Sequence, residues 1–191
     1  MALIELKVDG YGVVSAQDEQ AMIILREKEG KRMVPVLSSL PRALTLIARK
    51  GFGMRLPVPL NEGDVYAELL HKLNIGIVRV EISAVTDGSF YCKVFAAPKN
   101  RVAEDENEII ADSFCKADDG ISIAIANQCP ICIDEELLQI PYLENVSGNS
   151  YALNVAVISR KMLEDALKHA VESEDYEVAA RLHEELERRK Q

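Results

Sequence analysis

The chain of 191 residues is 48% hydrophobic and 28% charged, with ten glycines and seven prolines scattered through it. That is enough apolar material for one ordinary domain plus an appendage of about 30 residues, and it excludes a disordered or fibrous class. The formal charge of −9, from 22 basic and 31 acidic residues, has the wrong average sign for broad adhesion to phosphate backbones, so any contact with DNA or RNA must be local.

The start, Met1-Ala2-Leu3-Ile4-Glu5-Leu6-Lys7, carries charge where a signal peptide needs its apolar region. No window approaches the roughly 18 consecutive apolar residues of a membrane span. A cytoplasmic location without membrane association is expected, with Cys92, Cys115, Cys129 and Cys132 reduced. Strands are predicted over Leu3 to Val8, Ala21 to Leu25 and Arg32 to Leu37, with Glu27 to Lys31 as a charged turn. Pro41 suits a first helical position and Gly51 and Gly53 suit a stop, which predicts a helix from Pro41 to Lys50. Asp64 to Leu73 is a second predicted helix, with Val65, Leu69, Leu70 and Leu73 along one face.

Ile75 to Val85 and Ser89 to Ala96 flank Asp87-Gly88, a dipeptide that tolerates the positive φ angles of a tight hairpin. The acidic run Glu104 to Glu108 leads into Ile109 to Asp112. A helix over Asp119 to Asn127 and a strand over Pro130 to Ile133 follow. Residues 1–158 are therefore expected to form an α+β body, a mixed or antiparallel sheet with packed helices.

From Ser159 onward there is no Gly or Pro, and seven basic residues face nine acidic ones. Leu163, Ala166, Leu167 and Ala170 form one helical stripe; Ala179, Leu182 and Leu186 form another. Ser173 is expected to cap the second helix, with Glu174 and Asp175 near its positive end. Residues 159–191 thus read as an antiparallel two-helix hairpin that buries too little apolar surface to stand alone and should dock or dimerise. The pattern Leu163, Leu167, Ala170-Val171, Glu174-Asp175-Tyr176-Glu177, Ala179-Ala180, Leu182 resembles the UVR motif, named from the excision-repair proteins UvrB and UvrC. The usual Arg-Asp after the leucine is His183-Glu184 here. The resemblance implies a protein-binding element, with Leu163, Leu167, Tyr176, Ala179, Leu182 and Leu186 meeting another such hairpin or a second copy of the chain, and hence a homo-oligomer.

The body resembles the bifunctional nuclease domain. The matching stretches are Met33-Val34-Pro35-Val36, Arg55-Leu56-Pro57-Val58-Pro59-Leu60 leading into Asp64-Val65-Tyr66-Ala67-Glu68-Leu69-Leu70, Val78-Arg79-Val80-Glu81-Ile82, Asp87-Gly88-Ser89-Phe90-Tyr91, and Ile121-Ser122-Ile123-Ala124-Ile125-Ala126 before Pro130-Ile131. The resemblance implies metal-assisted hydrolysis of DNA or RNA. Its polar motifs depart in places: Gly63 stands where the family has a histidine before Asp64, and Lys116 stands for an arginine ahead of Asp119. If the protein does not cut, the body would be a scaffold and the tail an adaptor for DNA repair or stress response.

Metal-assisted phosphodiester cleavage needs hard oxygen ligands, and Mg²⁺ or Mn²⁺ would take them from Asp64, Asp112, Asp118 and Asp119. Asp64 and Asp119 would then be catalytic, with Lys116 or Arg55 offsetting phosphate charge. Because Asp64 and Asp119 fall at predicted helix starts, N-cap duty is the competing explanation. Arg26, Lys28, Lys31 and Arg32, then Arg42, Arg49, Lys50 and Arg55, form two local basic patches, either a phosphate contact or an ordinary mixed-charge surface.

Cys129-Pro130-Ile131-Cys132 lacks a second close pair for a zinc site, and core packing is its expected role. The histidines His71, His169 and His183 share no ligand spacing. Neither a phosphate-binding loop nor a Gly-x-Ser-x-Gly elbow is present.

Overall fold

The computed structural model describes residues 2–15, 19–52, 62–99, 109–139, 141–147, 150–154 and 158–189. In chain order the elements are β1 (Leu3–Ser15), β2 (Gln20–Glu27), β3 (Met33–Ser39), α1 (Leu40–Phe52), α2 (Glu62–Lys72), β4 (Ile75–Thr86), β5 (Ser89–Pro98), β6 (Ala111–Lys116), α3 (Ala117–Asn127), β7 (Ile131–Asp134), β8 (Leu143–Ser147), β9 (Ser150–Leu153), α4 (Arg160–Glu172) and α5 (Tyr176–Arg188). The fold is α+β, as expected. Seven strands form one sheet in the order β3-β2-β1-β7-β4-β5-β6. It is mixed because β7 runs antiparallel to β1 and parallel to β4. Among the described residues no helix is long and apolar enough to cross a membrane.

The chain divides into two compact units, Met1–Ala84 with Phe90–Ile140, and Val85–Ser89 with Pro141–Gln191. The boundary expected after residue 158 falls inside the second. In the first unit, period-two alternation along β2 buries Ala21, Ile23 and Leu25 completely. They join Val34, Val36, Val80, Ile82, Cys92, Ile121 and Ile133 in the core.

β1 runs seven residues past the predicted end at Val8, because Gly10, Tyr11 and Gly12 pair with Ile24, Ile23 and Met22 after a bulge between Val8 and Gly10. A paired strand with a bulge accommodates glycines that, read alone, look like breakers. β6 carries on to Lys116 and turns at once into α3. Asp87 and Gly88, with φ of 47° and 71°, make the expected tight turn.

In the second unit β8 and β9 pair antiparallel, a hairpin that carried no sequence signal we recognised. α4 and α5 are the expected helices. Leu163, Ala170, Ala179, Leu182 and Leu186 are buried between them, with Ala166 and Leu167 packed alongside. The capping differs from expectation. Ser159 caps α4 by accepting from the Met162 amide, and Asp175, not Ser173, caps α5 by accepting from the Val178 amide. Ser173 instead closes α4, its hydroxyl donating to the carbonyls of His169 and Ala170. The chain reverses at Glu174, in the left-handed region at φ 60°, which moves the cap two residues on. Asp87 belongs to this unit and accepts from the Arg160 amide at 2.8 Å.

Candidate functional site

The first unit is organised around two arginines of α1. Arg42 and Arg49 are seven residues apart, two turns of helix, and so share a face. Arg42 Nη1 donates to Asp118 Oδ2 at 2.9 Å and to Asp119 Oδ1 at 2.6 Å; Ser38 Oγ also reaches Asp118 Oδ2 at 3.4 Å. Burial works against the Arg42 charge, but the bond to Asp119 and the two adjacent carboxylates outweigh it and raise its pKa above the ordinary arginine value. The N-terminal end of that face therefore holds the start of α3. The C-terminal end does the same for α2, because Arg49 pairs with the buried Asp64.

Asp64 and Asp119 occupy the third position of α2 and α3. Neither is an N-cap, and Lys116, which stands at the cap of α3, makes no side-chain bond there. Both carboxylates sit in a first turn, where exposed amides and the helix dipole favour negative charge.

A groove of roughly 730 Å³ opens between α2, α3 and the strands beneath them. This is the size range of small-ligand pockets. Its walls are largely apolar, including Tyr66, Leu69 and Leu73 of α2, and Arg42, Asp119 and Ser122 bring polar groups to it. Ser122 is buried, and its Oγ has no hydrogen-bond partner among the described residues.

Of the four carboxylates expected to share a metal, two come together. Asp118 and Asp119 converge on Arg42 Nη1. Asp64, on α2, is engaged by Arg49, seven positions after Arg42 on α1. Asp112 borders the groove but lies on β6 opposite Phe95, and Lys93 Nζ stands 3.7 Å from its carboxylate. Strand alternation puts Lys93, Phe95 and Asp112 on the sheet face opposite Cys92, Val94, Ser113 and Cys115; of the latter, Val94, Ser113 and Cys115 line the groove. No group of three metal-ligating side chains converges among the described residues. Mg²⁺ usually keeps several waters and takes only one or two carboxylates. Asp118 and Asp119 are the two expected ligands that share a neighbour, and that neighbour is the Arg42 guanidinium.

The remaining expected site residues fall as follows. Lys116 is exposed where β6 meets α3. Arg55 and the acidic run from Glu104 to Glu108 lie outside the described residues. In the first basic patch Arg26 pairs with Asp9, Lys28 with Glu5 and Arg32 with Glu27. In the tail, Leu163, Ala179, Leu182 and Leu186 are used inside the hairpin, while Tyr176 is 68% exposed and Val171 and Val178 are exposed as well.

Gly63, which stands at the family's histidine position, has a clear physical role. A Cβ there would lie 2.7 Å from Ser122 Oγ and 2.9 Å from the Ser122 carbonyl carbon and oxygen. α2 reaches α3 at this point because no side chain intervenes. Sequence reasoning identified the substitution but not its reason, and it missed Ser122 and the organising role of Arg42, whose only signal was the seven-residue spacing to Arg49.

No curated protein matches the sequence. The model of the bifunctional nuclease domain matches residues 23–144, a span that begins in β2 and contains every groove residue named above. With more than half of its length matched in this way, the chain belongs to the bifunctional nuclease domain family.

Proposed function

We propose that the chain hydrolyses phosphodiester bonds of DNA or RNA in the groove beside α2 and α3. The observation that carries this reading is the placement of Arg42 and Asp119 together in the wall of that groove within a domain of a nuclease family. Arg42 is the group suited to the developing charge on a phosphoryl oxygen, since its fork remains charged and preorganised by two carboxylates. Asp119, 44% exposed in its side chain, is the group open to a water or a hydrated cation. Mg²⁺ or Mn²⁺ held by Asp118 and Asp119 would polarise the phosphoryl group as a Lewis acid. Tyr66, half exposed along α2, offers a face on which a base can stack. Lys116 is proposed as a further phosphate contact.

The tail is proposed to act as a UVR-type element that pairs with another such hairpin, in a second copy or in another protein. Its interior leucines are committed to its own core, so Tyr176, Val171 and Val178 are the side chains offered to that partner.

The test is cleavage of labelled single- and double-stranded DNA and RNA with Mg²⁺, with Mn²⁺ and with chelator, by the native protein and by Asp119→Asn and Arg42→Gln. Cleavage that needs the metal and falls at least tenfold in both variants supports the reading. Equal cleavage by all three proteins identifies a contaminant and removes the site. The second reading is a noncatalytic adaptor, favoured by the pairing of Arg42 with Asp118 and Asp119 and of Arg49 with Asp64, and by Gly63 at the family's histidine position. Removing residues 159–191 would then abolish partner capture while no preparation cuts nucleic acid.

A further inference from the structure

The cysteines that look paired in sequence, Cys129 and Cys132, are not the pair the fold makes. Burial pushes the Cys129 thiol up to about 12 and raises that of Cys132 too, so both are poor nucleophiles at neutral pH. Cys92 and Cys115, 23 residues apart in sequence, stand directly opposite each other on β5 and β6. Their sulfurs are 3.5 Å apart.

Directly opposed residues of an antiparallel pair have Cα separations of about 4.5–5.5 Å, within the roughly 4.4–6.8 Å that a disulfide spans. The sulfurs need only close to about 2.05 Å, which side-chain rotation supplies. The two differ in access. Cys115 lines the groove, whereas Cys92 is fully buried against α3. Gly120 makes that burial possible, since a Cβ on it would lie 2.2 Å from Cys92 Sγ. The bond between the thiols holds Cys115 below its ordinary value and pushes Cys92 up, and the Gly120 backbone amide favours the thiolate of each. The negative charges of Asp118 and Asp119 act against ionisation of Cys115 but do not reverse it.

We propose that Cys115 and Cys92 form a redox-active dithiol site, open through the groove, that takes small hydroperoxides as its substrate. The Cys115 thiolate attacks the terminal peroxide oxygen; the O–O bond breaks, the remaining alkoxide leaves with the thiol proton as an alcohol, and Cys115 becomes a sulfenic acid. The Cys92 sulfur then attacks the Cys115 sulfur. The S–O bond breaks, and the departing hydroxide leaves as water with the Cys92 proton. Two thiols are oxidised to one disulfide and one hydroperoxide is reduced to alcohol and water.

The experiment treats the full chain with stoichiometric hydrogen peroxide, then blocks and counts free thiols under denaturing conditions and maps the linked peptides by mass spectrometry. The expected result is loss of two of the four thiols, with a link between the peptides holding Cys92 and Cys115. Cys92→Ser should stop at a trapped sulfenic acid on Cys115, and Cys115→Ser should lose no thiol pair. All four thiols retained, or a link between Cys129 and Cys132, would overturn the proposal, and because the native protein alone gives that answer, a variant that fails to fold does not obscure it.

Discussion

Replacing Gly63 by alanine tests the docking of α2 on α3, on which the shape of the groove depends. The added Cβ would lie 2.7 Å from Ser122 Oγ and 2.9 Å from two backbone atoms of Ser122. Carbon contacts are comfortable at about 3.5–4.0 Å, so α2 has to withdraw by roughly 0.6–1 Å. Overpacking of this kind costs about 1–3 kcal/mol, offset by about 0.5–1 kcal/mol because alanine suits a helix better than glycine. The net expectation is a loss centred near ~1 kcal/mol, or ~2–4 °C in Tm for a chain of this size. Urea denaturation followed by circular dichroism reads it, with Gly10→Ala as the control, since no atom lies within 4 Å of a Cβ built at Gly10. Ser122→Ala should restore little, because the two backbone contacts remain. A Gly63→Ala protein as stable as the native chain, or full rescue by Ser122→Ala, would refute the reasoning. Gly63→His, which restores the family's residue, should lose at least as much stability and gain no cleavage.

The second unit gives three further expectations. Leu163→Ala, at a fully buried position between α4 and α5, should cost about 2–5 kcal/mol, seen as faster hydrogen exchange in both helices. Asp175→Ala should cost about 1 kcal/mol by removing the cap on the Val178 amide, whereas Ser173→Ala should leave α5 unchanged; equal effects would contradict the capping geometry. The bonds from Arg188, then Arg189, to Glu185 lower its carboxyl to about 2 from an ordinary 4.5. A depressed folded pKa stabilises above the unfolded value and is lost on acidification, so hairpin stability should fall between pH 4.5 and about 2. Glu185→Gln should flatten that dependence in an acid titration monitored by circular dichroism.

Much of the fold was legible because local rules and the tertiary answer agree. The period-two run around Ile23, the Asp87-Gly88 turn and the leucine stripe of Leu163 and Leu167 each state their structure within a few residues. The failures share a cause. Gly10 and Gly12 looked like a strand end because the pairing with β2 that carries β1 through them is not local. Ser173 looked like the better cap because nothing in the sequence shows that the chain reverses at Glu174.

The site divides the same way. By itself the sequence determined the family, most element types outside the β8–β9 hairpin and the set of acidic residues, since these rest on short-range pattern. Only the tertiary structure decided which charges and thiols meet: Asp118 and Asp119 on Arg42, Asp64 on Arg49, Asp112 beside Lys93, and Cys92 against Cys115. Those pairings depend on strand register and helix docking, where one residue of slip turns a side chain to the opposite face.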